Sequence, residues 1–476
     1  MNHRSCHYSD TFGSPGLLPP AGGFERVEIC RESHNLPRPK PRPVNLLPLH
    51  AGMHERREAY RSCRAIDVAG NTLFRCKRRA PLTVWPGRLR DLTQTFGVEL
   101  PGMKPKQAVA YVAVVTGLLA CAAAVEPAAQ AKKDTVPHFQ VDPLWPKLPK
   151  QWILGQVSGV AVDAQDHVWI VQRPWSLNND EKAQNPEAEC CREAPPVMEF
   201  DSAGKYLRGW GGAPTDGSYE WPMDEHGIHI DYKGNVWISS AGGPRLREGK
   251  ENFILKFTRD GKFLLQVGKR GQSKGSLDTA NFNNAADIWV HQKTNEVFVA
   301  DGYVNRRVMV LDADTGQYKR MWGAYGNVPD DKAPKTFAPE GPGPPQFNTV
   351  HGIKVSADGL VYVNDRLNNR IQVFTLDGKF QREVFIERRT KLLGTSFSTA
   401  FSPDAAQRWL YVADAGNGKV HIFDRASLQE AGAFGRIGRY AGEFIFMHNL
   451  AADSKGSLYV TEVGNGRRVQ KFVASR

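Results

Sequence analysis

The stretch Asp224-Glu225-His226-Gly227-Ile228-His229-Ile230-Asp231 decides the fold of this chain. A polar residue stands two places before a short apolar strand, which ends in Asp and a turn. The same pattern occurs five more times, with either His or a small residue at the polar position. In chain order that position is occupied by Ser158, His226, Ala286, His351, Ser398 and His448. Histidine therefore occupies every second copy of a six-unit repeat.

Each copy opens a unit of short strands separated by turn signals. In the second unit the later strands are Val236-Trp237-Ile238 and Ile254-Leu255-Lys256-Phe257, and an Asp260-Gly261 turn leads to a fourth. Repeating units of about 45–65 residues with four strands each are typical of propeller blades. The sequence therefore predicts an all-β fold, a six-bladed β-propeller spanning residues 135–476.

The sixth unit supplies only three strands before the sequence stops at Arg476. A ring with an uncovered strand edge would be prone to pairing with other chains. We therefore predict that the segment Pro137–Asp142, which precedes the first blade, supplies the missing outer strand. Two insertions, at 174–195 and 327–345, are long for propeller loops and are predicted to form a rim or lid on one face.

Composition and charge exclude one class of partner. The chain has 476 residues, of which 41% are hydrophobic, and a net charge of +12. Residues 1–131 carry 18 Lys and Arg against 10 Asp and Glu, so only +4 is spread over the remainder. That is not the basic stripe that phosphate binding needs, and we expect no nucleic-acid partner.

Cysteines are concentrated in the same N-terminal region. Five of the seven precede residue 132, and only the adjacent pair Cys190-Cys191 follows it. These numbers and spacings fit neither a disulfide scaffold nor a cysteine-based zinc site. For the pair, free thiols, a vicinal disulfide and a loop staple all remain open.

Residues 103–131 have the pattern of a secretory signal peptide. Met103-Lys104-Pro105-Lys106 is basic, residues 108–125 are strongly apolar, and Ala129-Gln130-Ala131 is a small-x-small exit. We expect translation to start at Met103, so that residues 1–102 are a non-native or disordered extension. Cleavage after Ala131 would leave no stable membrane span. The alternatives are lipidation at Cys121 and a retained anchor, and all three predict a secreted or periplasmic propeller.

The alternation of histidines predicts a metal site. The first strand of each blade lines the central channel, so alternate positions place three side chains at about 120° around one axis. His226, His351 and His448 would then form the three-imidazole set of a catalytic zinc site, which keeps one position open. Iron, manganese and cobalt are compatible with the same donors. The alternative is that each His is a structural hydrogen-bonding residue.

Several short motifs resemble peptidyl-α-hydroxyglycine α-amidating lyase, a six-bladed propeller of the NHL-repeat group. The stretch Leu154–Ala161 (LGQVSGVA), with Arg173 after it, is similar to the opening blade of that family. The segments Asp301–Arg307 (DGYVNRR) and Asp365–Gln372 (DRLNNRIQ) resemble its later motifs. The resemblance spans roughly residues 135–476. It implies zinc on the three histidines.

The resemblance also implies roles for further residues. Tyr303 would be the catalytic tyrosine, and Arg173 and Arg366 would be active-site arginines. A structural calcium would be bound by the carbonyls of Val160 and Ile228 and by the side chain of Asn449. The family has an Asp where this chain has Asn449, and an uncharged amide binds calcium more weakly. The family's disulfide cysteines and its preceding monooxygenase domain are not found here.

The reaction implied is the breakdown of a carbinolamide, R-CO-NH-CH(OH)-COO⁻, to an amide and glyoxylate. Tyr303 would act as general base, and it needs nearby positive charge because an unperturbed tyrosine titrates near about 10. The expected partner is a small-molecule or peptide substrate with a carboxylate, which an arginine can bind bidentately. The alternatives are an NHL-type scaffold that binds proteins or peptides without catalysis, and a lactonase-like hydrolase. The latter would need Glu, Asp and Asn around its metal.

Overall fold

The computed structural model describes residues 135–182, 190–241 and 251–475, together with the backbone of two strands at 63–68 and 71–76. The first range begins where the predicted propeller begins. Six antiparallel four-stranded sheets follow one another along the chain. The prediction of an all-β, six-bladed propeller is therefore confirmed.

In each of blades 1 to 5, the four strands pair in chain order, with the first strand innermost. Blade 1 contains Gln156–Val162, Val168–Arg173, Val197–Phe200 and Tyr206–Trp210. Blade 2 contains Glu225–Ile230, Val236–Ser240, Phe253–Phe257 and Phe263–Gly268. Blade 3 contains Asp287–His291, Glu296–Asp301, Arg307–Asp312 and Tyr318–Trp322. Blade 4 contains Val350–Val355, Leu360–Asp365, Arg370–Thr375 and Phe380–Phe385. Blade 5 contains Ser398–Phe401, Trp409–Asp414, Lys419–Asp424 and Gln429–Phe434.

Blade 6 is built from both ends of the propeller sequence. It contains Met447–Ala452, Leu458–Glu462 and Arg468–Ser475, and its outer strand is His138–Asp142. Phe472 lies opposite Val141 and Ser475 lies opposite His138 in this antiparallel pair. The predicted closing strand is confirmed, and it covers the edge that the third strand would otherwise expose.

The cores lie between blades because both faces of each sheet are buried. In blade 2, Val236 and Ile238 pack against Trp169 and Val171 of blade 1. Trp237, between them in the strand, points to the opposite face and packs with residues of blade 3. Because side chains alternate along a strand, a run such as Val-Trp-Ile can fill two neighbouring interfaces at once. The second strands are accordingly continuous hydrophobic runs.

Buried ion pairs fix the turns between second and third strands in blades 3 and 4. Arg307 Nε donates to Asp301 Oδ2 at 2.8 Å, and both side chains are fully buried. Arg370 makes the same 2.8 Å contact with Asp365. Charges removed from water must be paired. These pairs therefore hold the two short loops that carry Tyr303 and Arg366.

The insertion at 327–345 packs against the same end of blades 3 and 4. Arg306 donates a hydrogen bond to the Ala333 carbonyl, and Arg370 donates one to the Pro344 carbonyl, both at 2.7 Å. This segment forms part of a rim on that face, as predicted. In the other insertion, Cys190 and Cys191 form a vicinal disulfide. The adjoining Arg192–Glu193 pairs in parallel with Trp152–Ile153.

The remaining elements are small. Three single-turn 3₁₀ helices occupy Pro174–Ser176, Ala324–Gly326 and Arg366–Asn368. Strands Cys63–Val68 and Asn71–Cys76 pair as an antiparallel hairpin within the segment predicted to be a non-native or disordered extension. The predicted signal peptide lies outside the described residues. Within the described parts of the chain, no helix has the length and apolarity needed to span a membrane.

Candidate metal centre

The three predicted ligands converge at one point of the central channel. His226, His351 and His448 come from the innermost strands of blades 2, 4 and 6. Their ring centroids are separated by 4.5 to 4.9 Å, and their candidate ligand atoms all lie within 4.8 Å of one another. All three side chains are buried. The structure thus brings together the set that the alternation of histidines predicted.

Backbone carbonyls of the following blades orient the three imidazoles. The Nδ1 atoms of His226, His351 and His448 lie 2.7, 2.8 and 2.6 Å from the carbonyl oxygens of Ala286, Phe397 and Ser158. A carbonyl oxygen can only accept, so each Nδ1 carries the proton. Each Nε2 is consequently left with a lone pair. This is the tautomer that a metal needs, and a hydrogen bond from the other ring nitrogen to an acceptor is typical of histidine ligands.

This geometry explains why small residues alternate with the histidines. Each imidazole reaches across to the inner strand of the next blade, where the ring position is occupied by Ala286, Ser398 or Ser158. Gly227 allows the same close approach, because a Cβ at that position would lie 2.6 Å from the Ala286 carbonyl oxygen. The small residues therefore clear the path from each histidine to its orienting carbonyl.

Electrostatics keep the imidazoles neutral. Burial, followed by the positive charge of Arg173, lowers the pKa of His448 to about 3. The pKa values of His226 and His351 also lie well below the usual histidine value, mainly because both rings are fully buried. A neutral imidazole is the form that binds a metal. The donor set therefore fits a metal ion that takes three nitrogen ligands.

Tyr303 and Arg366 lie directly against the imidazoles. The Tyr303 hydroxyl is 2.9 Å from His226 Nε2 and 3.0 Å from His351 Nε2. Arg366 Nη1 donates to the same hydroxyl at 3.3 Å, and its guanidinium stacks on Phe397. Tyr303 comes from the loop between Asp301 and Arg307, so the buried ion pair described above positions it. The structure thus places both predicted residues at the centre.

Arg173 approaches the centre from blade 1. Its Nε donates to the Glu225 carbonyl at 2.8 Å, and its Nη1 donates to Gln156 Oε1 at 3.1 Å. Its charge contributes to the lowered pKa values of all three histidines. All six side chains predicted to act as zinc ligands or catalytic groups therefore belong to one cluster.

Sequence reasoning missed an acidic pair beside the centre. Asp224 and Glu225 precede His226 directly and are both buried. Burial raises the pKa of Glu225 to about 7, although Trp221 donates a hydrogen bond to its carboxylate. Two acidic residues next to a predicted metal ligand could have indicated in the sequence that they lie at the centre. Gln156 contacts Arg173 and Phe397 contacts Arg366, but nothing in the sequence indicated either contact.

The predicted calcium ligands are less distinctive. Val160 and Ile228 lie two residues beyond the ring positions of blades 1 and 2, and both are buried. Asn449 Oδ1 accepts a 2.8 Å hydrogen bond from the Leu450 amide and lies 3.5 Å from Ser398 Oγ. The amide oxygen is therefore already engaged locally. Calcium at these three groups remains a prediction.

A second group of potential ligands lies between blades 1 and 2, and an arginine occupies it. Asp163, His167 and Glu199 have their ligand atoms close together. The Arg259 guanidinium donates to Asp163 at 2.6 Å, and it also contacts His167 and Glu199. A guanidinium in the middle of this group neutralises the carboxylates. We therefore regard the cluster as a clamp between blades and not as a metal site.

Comparison with known proteins agrees with the motifs. The chain is 27% identical to NHL repeat-containing protein 3 of Homo sapiens over 354 residues, which cover 70% of this chain and 84% of that protein. It is also 27% identical to peptidyl-alpha-hydroxyglycine alpha-amidating lyase 2 of Drosophila melanogaster over 353 residues, covering 69% and 74% of the two chains. The chain resembles both groups. No family model matches it.

Similarity to solved structures is weaker. A streptogramin B lyase structure is 13% identical with a TM-score of 0.42, and the match covers 71% of this chain and 98% of that one. At that TM-score the similarity supports no argument about function. The sequence relatives are therefore the informative ones, and they include proteins named as amidating lyases and proteins named only for their repeats.

Proposed function

We propose that this protein is a metal-dependent lyase that cleaves a carbinolamide, R-CO-NH-CH(OH)-COO⁻, to R-CO-NH₂ and glyoxylate. The observation that carries the proposal is the convergence of three metal-competent Nε2 atoms with the hydroxyl of Tyr303. The similarity to proteins named amidating lyases agrees with this reaction. His226, His351 and His448 would hold zinc or another divalent ion, and the bound metal would act as a Lewis acid toward a substrate oxygen.

Arg173 and Arg366 are proposed to bind the substrate carboxylate. Both guanidinium groups face the centre, and Arg366 is held by a 2.7 Å hydrogen bond from its Nε to the Leu393 carbonyl. Its Nη1 contacts only the Tyr303 hydroxyl among the hydrogen bonds of the described residues. Arginine pairs bidentately with carboxylates, and the pairing is strong where water is excluded.

Tyr303 is proposed to accept the hydroxyl proton of the substrate. The C–N bond then breaks, the carbinol carbon becomes the aldehyde carbon of glyoxylate, and the amide nitrogen gains a proton. One proton is lost from oxygen and one is added to nitrogen, so no external reductant or oxidant is needed. Arg366 donates a hydrogen bond to the phenol oxygen that is proposed to accept the proton, so it can hold that oxygen in place during the transfer.

A binding scaffold is the second candidate, because an apolar patch lies near the centre. Leu392 is 89% exposed, and Leu393 and Phe337 are also exposed. Leu393 is bonded to Arg366 through its carbonyl, so this patch adjoins the mouth of the channel. Exposed apolar patches of this kind mark surfaces for partners or ligands. The scaffold reading predicts partner binding without metal-dependent turnover.

Metal content distinguishes the two candidates. We would purify the chain without chelators and measure bound zinc, iron, manganese and cobalt beside the double variant His226→Ala, His351→Ala. The exposed His138→Ala variant serves as the matched control. The lyase proposal predicts about one metal per chain, retained in the control and lost in the double variant. Only the proteins that retain metal should release glyoxylate from a peptidyl-α-hydroxyglycine.

Two results would overturn the lyase proposal. One is the absence of stoichiometric metal from protein purified without chelators. The other is metal-loaded protein that releases no glyoxylate from any α-hydroxyglycine peptide tested. The second result would support the metal centre and exclude the carbinolamide reaction.

A further inference from the structure

The channel has a second concave site at its opposite mouth. A cavity of about 670 Å³ is lined by inner-strand residues that follow the ring positions and by the turns after them. None of the three histidine ligands, Tyr303, Arg173 or Arg366 lines it. Gln156 pairs with Arg173 at the metal-centre end of blade 1, whereas Val162 and Val168 pair at the cavity end. The cavity and the metal centre are therefore at opposite ends of the strands.

The wall of this cavity is asymmetric. Blades 2, 3 and 4 contribute His229, Trp289 and Lys354, each three residues beyond the ring position. The His229 and Trp289 rings are 4.6 Å apart, and Lys354 Nζ lies 5.4 Å from the Trp289 ring centroid. At the same level blade 5 contributes Phe401, whereas blades 1 and 6 place only Ala161 and Ala451. The space for a ligand is therefore beside the alanines of blades 1 and 6.

Two groups in the wall have unused hydrogen-bonding capacity. His229 is 7% exposed, and neither of its ring nitrogens has a hydrogen-bond partner in the described part of the chain. Lys354 Nζ donates to Asp287 Oδ2 at 2.8 Å, which uses one of its three N–H groups. Both residues line the cavity, so their remaining hydrogen-bonding groups are accessible to water or to a bound ligand.

The carboxylates around the cavity are already saturated. Asp287 also accepts from the Ile288 and Ile353 amides. Asp231 and Asp453 each accept two turn amides and one aromatic side-chain donor. The spare hydrogen-bonding capacity is therefore on Lys354, whose charge is paired with Asp287, and on the ring of His229. A ligand oxygen can accept a hydrogen bond from both residues.

We propose that this cavity binds a small planar carboxylate, with its apolar body between Trp289 and the alanines and its carboxylate toward Lys354 and His229. Its volume is in the range of ligand pockets, about 300–1,000 Å³, and its lining combines apolar side chains with polar ones. The site is independent of the lyase reaction. It requires neither the metal nor Tyr303.

Titration calorimetry with benzoate tests this site. We expect saturable binding of one benzoate per chain. Ala451→Phe would fill the vacant side and Trp289→Ala would remove the stacking wall, and each should weaken binding by about tenfold or more. Thermal unfolding and metal content of each variant establish that the fold and the other site are intact. His226→Ala, His351→Ala should bind benzoate as wild type does.

Each contrary outcome overturns the proposal. Benzoate that does not saturate, or that binds equally well to the folded Ala451→Phe variant, would show that the cavity holds only water. Binding that disappears in the His226→Ala, His351→Ala variant would place benzoate in the metal centre instead. Since this assay does not measure turnover, failure of the lyase proposal would leave its outcome unchanged.

Discussion

Even-numbered and odd-numbered blades share one strand pattern but make different contributions to the channel. Blades 2, 4 and 6 each supply an imidazole, whereas blades 3, 5 and 1 supply the carbonyls that orient it. The carbonyl comes from the backbone, so the odd blades need only a small side chain at the ring position. A ligand and its orienting group thus come from neighbouring blades, and metal geometry depends on how the blades pack.

The largest expected effect comes from removing an even-blade ligand. Loss of a group that orients a metal ligand costs about 10- to 100-fold in metal affinity. His351→Ala removes the ligand itself, so metal affinity should fall by more than that and turnover should be abolished. Metal content after dialysis and glyoxylate release measure both. The odd-blade variant Ser398→Ala should retain metal and activity. Equal losses in the two variants would remove the distinction between blades.

Tyr303→Phe separates catalysis from metal binding. The phenol oxygen contacts two Nε2 atoms but the imidazoles are oriented from the other side of each ring. We expect retained metal and a loss of about 10²- to 10⁴-fold in kcat, the usual contribution of a general base. Unchanged turnover in the metal-loaded variant would exclude Tyr303 from the reaction.

Filling an odd-blade position should disturb its even-blade neighbour. Ala286→Leu places a branched side chain beside the carbonyl that orients His226. We expect metal affinity to fall by about 10- to 100-fold and the free energy of unfolding by about 1–3 kcal/mol. Ala286→Ser, which copies blades 1 and 5, should behave as wild type. Competition with a zinc chelator measures the first quantity, and urea unfolding measures the second.

Acid should weaken the metal-free fold through its buried imidazoles. The pKa of His448 is about 3 in the fold, whereas an unfolded histidine titrates near about 6.5. Between these values the unfolded chain binds a proton that the folded chain does not, so stability falls as the pH drops. This amounts to about 1.4 kcal/mol per pH unit for one such histidine.

Urea unfolding at pH 7 and pH 5 checks this effect. The loss of stability between the two pH values should be smaller by about 2 kcal/mol in His448→Gln than in wild type. The exposed His138→Gln variant should show the wild-type loss. An acid dependence that is the same in all three proteins would mean that His448 has the same pKa in the folded chain as in the unfolded chain.

Much of the fold was predictable because the same strand pattern occurs in six units. The ring position, the continuous second strands and the closing strand could each be predicted by comparing one unit with the next. His226, His351 and His448 could be placed together because the propeller has a single axis. Tyr303 and Arg366 required resemblance to a known family, since a loop residue has no periodicity that locates it.

The rest depends on contacts between blades that no single unit encodes. Nothing in the local sequence of Ala286 or Phe397 indicates that its carbonyl faces an imidazole more than 40 residues away. In the cavity at the opposite mouth, the wall formed by His229, Trp289 and Lys354 combines residues of three units. Within a single unit, nothing distinguishes these three side chains from other strand residues.

Ring closure has a consequence for the order of events during biosynthesis. Ser475 Oγ bonds to the His138 carbonyl across 337 residues of sequence, and His448 bonds to the Ser158 carbonyl across 290. Neither contact can form before the last blade has left the ribosome. The third imidazole is therefore oriented only after the sixth blade has been synthesised. A prematurely terminated product that lacks this blade would have two histidine ligands and an unpaired strand edge, so metal retention reports on a closed ring.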